Sequence, residues 1–158
     1  MKRLAFVAVV LATLLAAACS KGFSSGPGEG GGPTRDPGLT RRAEAGGVAV
    51  EGTWLTAKEL GGLDADVAAF RLDEFVLVKI QFTTHSGDLN QIDMKQAAVL
   101  RQGVADEQPA GWISLSDDSH HRAGVLVFSR RLEGGPAELT IDLGDEELAL
   151  LWETAPRS

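Results

Sequence analysis

The chain has three histidines, and each lies where a predicted strand ends or begins. His85 follows the apolar run 75–84, within the sequence Thr-His-Ser-Gly-Asp-Leu. His120 and His121 precede the apolar run 123–128, within the sequence Asp-Asp-Ser-His-His-Arg. Imidazole changes charge near neutral pH and is the commonest metal ligand in proteins. These residues therefore carry the first hypothesis about function, a site at one end of two strands.

Antiparallel pairing of the two apolar runs predicts that the histidines meet, because one strand ends where its neighbour begins. Together with nearby carboxylates they would offer nitrogen and oxygen ligands suited to Zn²⁺ or Cu²⁺. The predicted metal ligands are His85, His120, His121, Asp88 and Asp118, with Arg122 and Asp93 as supporting residues. Adjacent residues of a regular strand point to opposite faces, so His120 and His121 can both ligate only from a loop.

A structural role for the same residues is the alternative hypothesis. In it, the polar side chains of segment 84–88 order their own loop through hydrogen bonds to backbone groups. One histidine of the pair bonds across to that loop, and Arg122 pairs with Asp88 or Asp93. An enzyme is not predicted, because residues 48–158 contain no nucleophile elbow, phosphate loop or dinucleotide fingerprint.

Two motifs in this region resemble those of a family of exported bacterial and archaeal domains. The family pattern is Thr-His-Ser-x-Asp-Leu followed by Gly-His-His-Arg, and the chain matches it at 84–89 and 119–122, with Ser119 in place of the glycine. The resemblance covers roughly residues 74–129. It implies no activity, and it singles out His85, Asp88, His120, His121 and Arg122 as the residues that recur.

The N-terminus predicts export and a lipid anchor. Two basic residues precede an uncharged apolar run, 4–15, that is too short to remain in a bilayer as a span. Three alanines then precede Cys19, which resembles the cleavage box of bacterial lipoproteins and implies a signal peptide over 1–18 and lipidation of Cys19. A secreted protein with a free thiol is the alternative. Cys19 is the only cysteine, so no intramolecular disulfide can hold the domain together.

Residues 19–47 are predicted to be the lipidated cysteine and a flexible tether, since glycine and proline recur there without a period. Without residues 1–18 the chain keeps 13 of its 15 Lys+Arg against 22 Asp+Glu, a balance of −9. This charge repels nucleic acid and anionic headgroups, so nucleic acid is not a predicted partner and membrane attachment must come from the lipid. The predicted location is the cell envelope, outside the cytoplasm. In a Gram-negative host, Ser20-Lys21 resembles the pattern of outer-membrane sorting.

Residues 48–158 are predicted to form an immunoglobulin-like antiparallel β-sandwich of about seven strands, with a small β-barrel as the alternative. In the strand 75–84, alternate apolar residues share one face, namely Val76, Val78, Ile80 and Phe82. The run 123–128 is apolar on both faces, as in a central strand. Shorter strands are predicted over 48–54, 96–101, 111–115, 137–143 and 147–152, with a helical turn at 56–60 and a strand or lead-in at 67–72.

The sequence as a whole predicts a lipid-anchored, extracytoplasmic binding domain. The binding partner is either a transition metal, Zn or Cu, held by the histidine cluster, or an envelope protein met by a domain whose histidines only order loops.

Overall fold

The computed structural model describes residues 39–129 and 135–155. The predicted signal peptide, Cys19 and the tether as far as residue 38 lie outside these ranges. Within them, nine strands form two antiparallel sheets that do not close into a barrel. The predicted all-β sandwich is confirmed.

The first sheet has five strands in the spatial order β1-β2-β3-β7-β6, and the second has four in the order β5-β4-β8-β9. The strands are β1 Thr40–Ala45, β2 Val48–Trp54, β3 Phe75–Thr84, β4 Ala98–Gln102, β5 Ala105–Glu107, β6 Gly111–Asp117, β7 Arg122–Ser129, β8 Ala137–Asp142 and β9 Glu147–Trp152. The order β2-β3-β7-β6 against β4-β8-β9 corresponds to the ABED and CFG sheets of immunoglobulin-like sandwiches. Relative to that pattern, β1 and β5 are additional edge strands.

Three short helices and a 3₁₀ turn lie in the connections: α1 Ala57–Leu60, α2 Ala65–Ala68, α3 Met94–Ala97 and the 3₁₀ turn Leu89–Gln91. The predicted turn at 56–60 is confirmed as α1, and Glu59 Oε2 accepts a 2.8 Å hydrogen bond from the backbone N–H of Thr56, as in a capping box. The strand or lead-in predicted at 67–72 instead contains the end of α2. In the described part of the chain, no helix is long and apolar enough to cross a membrane.

The main core lies between the two sheets. Val76, Val78, Ile80 and Phe82 all face it, as the alternation in β3 predicts. The rings of Trp54 and Trp152 meet edge to face there, with centroids 5.6 Å apart.

A second apolar cluster covers the opposite face of β3 and β7. Leu77, Val125 and Val127 pack there against side chains from the connection that contains α1 and α2, including Leu60 and Val67. This cover explains why β7 is apolar on both faces: each face has a layer packed on it.

The first sheet begins before residue 48, the predicted start of the domain, because β1 lies within residues 19–47, which are predicted as a tether. β1 pairs with β2 from Thr40 opposite Thr53 to Ala45 opposite Val48. The carbonyl oxygen of Leu39 also accepts hydrogen bonds from Trp54 N at 3.0 Å and Trp152 Nε1 at 2.8 Å. β1 has no large apolar side chain. It is held by backbone pairing with β2 and by polar side-chain bonds such as that of Arg42 with Glu51, which hydrophobic periodicity does not reveal.

Two connections also differ from the predictions. The segment 96–101, predicted as a strand, is divided between the end of α3 and β4. The acidic segment 103–109, where no strand is predicted, contains β5, which pairs with β4. Both differences concern segments of three to five residues, where periodicity has too few positions to separate helix, strand and turn.

Candidate functional site

The two histidine-bearing segments meet at one end of the sandwich. β3 pairs antiparallel with β7, from Phe75 opposite Ser129 to Gln81 opposite Ala123, as predicted. The end of β3 therefore lies beside the start of β7. We call residues 85–93, which follow β3, together with residues 118–121, which precede β7, the histidine end.

All three histidine side chains at this end are exposed. Over residues 39–129 and 135–155, no three His, Cys, Asp or Glu side chains form a group that could hold a metal ion. The predicted ligands His85, His120, His121, Asp88 and Asp118 are thus neighbours in the fold without forming a ready ligand group. Metal binding by these residues stays a prediction.

Asp118 orders the turn that carries the histidine pair. Its Oδ1 accepts hydrogen bonds from the backbone N–H groups of His120 at 2.8 Å and His121 at 3.0 Å. These bonds favour the ionised carboxylate and hold the pKa of Asp118 below its usual value of about 3.9. A lowered pKa means that Asp118 stabilises the fold above its ordinary pKa, and that this contribution is lost as the pH falls through the lowered value.

The two carboxylates of the other segment also bind backbone. Asp88 Oδ1 accepts from Asn90 N at 2.9 Å and so begins the 3₁₀ turn. Asp93 Oδ1 accepts from Lys95 N at 3.0 Å and so begins α3. Thr84 donates its hydroxyl to the carbonyl oxygen of Ser86 at 2.8 Å. The loop ordering that the structural hypothesis predicts is therefore confirmed for Thr84 and Asp88.

Arg122 has a different role from the predicted one. Arg122 is only 8 % exposed, and its Nη1 donates hydrogen bonds to the carbonyl oxygens of Leu89 at 2.8 Å and Ile92 at 2.7 Å. The predicted ion pair with Asp88 or Asp93 is wrong, because the guanidinium donates to backbone carbonyl oxygens, whereas the two carboxylates accept from backbone N–H groups. The alternation of β7 would have predicted that Arg122 points inward. Arg122 lies two residues before Gly124 and four before Leu126, and therefore on the face that meets the core.

Trp112 and Gly124 complete the packing around Arg122. The guanidinium carbon of Arg122 lies 5.2 Å from the centroid of the Trp112 ring, a cation–π distance. A Cβ added to Gly124 would lie 2.2 Å from Trp112 Cζ2 and 2.6 Å from the carbonyl oxygen of Ile113. Only glycine therefore lets the indole lie against β7. The sequence alone shows neither the partner of Trp112 nor the need for glycine at position 124.

An open cleft of about 550 Å³ lies beside this end, between residues 86–97 and the β8–β9 turn. Asp88, Asp93 and Asp142 are among the residues that line it. The cleft therefore lies beside the carboxylates of the histidine end, and His85, His120 and His121 are not among its lining residues.

No protein-family model matches the chain, and the comparisons with curated proteins and with solved structures give no match. The resemblance of residues 74–129 to the exported domain family stays a prediction.

Proposed function

We propose that this chain is a lipid-anchored, extracytoplasmic β-sandwich that contacts another envelope protein through its histidine end and catalyses no reaction. One observation carries the proposal: the backbone of the histidine end is fixed by internal hydrogen bonds, whereas its three imidazoles are exposed. Backbone groups, carboxylates and Arg122 form the hydrogen bonds that order these loops. The histidine side chains remain exposed and available to a partner. Loops held at one end of an immunoglobulin-like sandwich commonly serve as contact surfaces.

The contact can be tested by site-specific photocrosslinking in intact cells. A photoreactive residue replacing His120 is expected to give a discrete adduct with an envelope protein. The same residue replacing Lys58 is the matched control, because Lys58 is exposed on α1. α1 follows the end of β2, which lies beside the start of β3, away from the histidine end. His85→Ala with His121→Ala should weaken the His120 adduct. Equal adducts at both positions, or none at position 120, would contradict the proposed surface.

The lipid anchor predicts a specific result for Cys19→Ala. Without the thiol no diacylglycerol can be attached, so the variant should leave the membrane fraction or accumulate as an uncleaved precursor. Fractionation with and without detergent, with the mass of the N-terminal peptide, measures this. Ser20→Ala is the control and should stay anchored. A cleaved Cys19→Ala protein that still requires detergent for release would refute lipidation at this residue.

Transition-metal binding is the rival proposal for the same residues, and a thermal melt separates the two. On the proposal favoured here, Zn²⁺ and Cu²⁺ leave the melting temperature of the metal-stripped protein unchanged. His85→Ala and His120→Ala/His121→Ala should then change stability by no more than about 0.5 kcal/mol, as exposed side chains do.

The rival predicts the opposite outcome in the same melts. A metal at a hundredfold excess over its Kd would stabilise the fold by about 2.7 kcal/mol. That gain would be present at pH 7.5, it would weaken at pH 5.5 because protons compete with the metal for imidazole nitrogens, and it would disappear in both histidine variants.

A further inference from the structure

We infer that the two halves of the histidine end form one conformational unit, locked by Arg122, so that a contact made by one loop changes the dynamics of the other. The inference extends the proposed function and rests on one part of it, namely that the histidine end is the contact surface. The lock itself can be tested without any partner.

Hydrogen bonds within each loop are joined by a set of hydrogen bonds that cross between the two loops. Asp88 caps only its own loop and Asp118 only its own turn. Five bonds join the β3–β4 connection, with Thr84 just before it, to the β6–β7 turn and its flanking residues: Thr84 N to His120 O, Leu89 N to Ser119 O, Asn90 Nδ2 to Asp117 O, and Arg122 Nη1 to Leu89 O and Ile92 O. The relative position of the two loops is therefore set by hydrogen bonds that need both loops to be in place.

Arg122 fixes the middle of the connection. Leu89 and Met94 bury their side chains in the main core. Between them, Asn90 and Gln91 are exposed, and Ile92 is only partly buried. The two carbonyl groups that Arg122 binds, those of Leu89 and Ile92, bracket this exposed stretch. A hydrogen bond from a charged donor to a buried carbonyl is among the stronger ones in proteins, so this single side chain couples the stretch to β7.

Amide hydrogen exchange of the purified mature protein in detergent tests the lock. Asn90→Ala removes one bond from the first loop, and we expect exchange at His120 and His121, in the second loop, to rise about fivefold. That factor corresponds to one hydrogen bond of about 1 kcal/mol. In the reciprocal variant, Asp118→Ala, the amide of Leu89 should exchange faster by a similar factor. Gln91→Ala is the matched control, because Gln91 is an exposed neighbour of Asn90 and no side-chain hydrogen bond of Gln91 is found in the described residues.

Core amides give the reference for global stability. Val78 and Leu126 should exchange at the wild-type rate in Asn90→Ala and Asp118→Ala, while Arg122→Lys should raise exchange in both loops together. Faster exchange confined to the substituted loop would overturn the inference, and so would an equal rise at Val78 and Leu126. Failure of the photocrosslinking experiment would leave this result unchanged, so the two proposals fail separately.

Discussion

Leu126→Asp is expected to leave the chain unfolded at room temperature. Leu126 is fully buried between the two sheets, opposite Val78 on β3 and Trp112 on β6. An unpaired carboxylate there costs several kcal/mol, against a total stability of about 5–15 kcal/mol for a typical domain. Far-UV circular dichroism should show the β-sheet signal replaced by that of a disordered chain. Val78→Asp should have the same effect, because the two side chains share one core.

Leu151→Asp is the matched control for this substitution. Leu151 is in β9 and is 53 % exposed, so its replacement by aspartate should change stability by no more than about 0.5 kcal/mol. A Leu126→Asp protein that keeps the wild-type spectrum and urea midpoint would show that β7 does not form the centre of the core.

Gly124→Ala is the second substitution with a large expected effect, although it adds only one carbon. The new Cβ would lie 2.2 Å from the Trp112 ring and 2.6 Å from a backbone carbonyl oxygen, so the indole and strand β6 must both move. Overpacking of this kind costs about 1–3 kcal/mol, and the upper end is expected because one of the clashing atoms belongs to the backbone. Urea denaturation of the mature protein gives the free energy of unfolding that measures it.

Gly111→Ala provides the comparison, since a Cβ at that position would lie 3.8 Å from Val127 Cβ, an ordinary contact. A double-mutant cycle adds a sharper test. In a Trp112→Ala background, Gly124→Ala should cost less than in the wild type, because the clash with the indole is gone while the clash with the carbonyl oxygen remains. Equal costs in both backgrounds would place the origin of the effect away from Trp112.

The sequence predicts a strand well where alternation is long or where turn residues border it. The predicted bounds 48–54, 75–84 and 147–152 match β2, β3 and β9. β3 offers ten positions of alternation, and β9 follows a glycine-containing turn. β1 was missed because its residues are polar or small, and an edge strand needs only one partner. α2 was missed because its four residues form a single turn, so that burial of Val67 resembles strand alternation.

At the histidine end, topology was more predictable than side-chain contacts. Pairing of two strongly apolar strands brings their histidine-bearing ends together, and that pairing follows from hydrophobicity alone. The partners of Arg122 depend instead on where the β3–β4 connection places two carbonyl groups, which periodicity cannot report. The same holds for Gly124, whose importance appears only once the indole of Trp112 has a position.

The position of β1 determines how the domain responds to force when the chain is attached through residues before Leu39. A pull on those residues reaches β1 first, because Leu39 precedes it directly and is bound to Trp54 and Trp152. β1 is an edge strand that pairs only with β2, and Arg41 Nε also donates a hydrogen bond to the carbonyl oxygen of Leu151 in β9. Detachment of β1 breaks these bonds but none of the pairing in the order β2-β3-β7-β6 or β5-β4-β8-β9. We therefore expect the first strand to yield before the others under load and to lengthen the linkage by its own six residues.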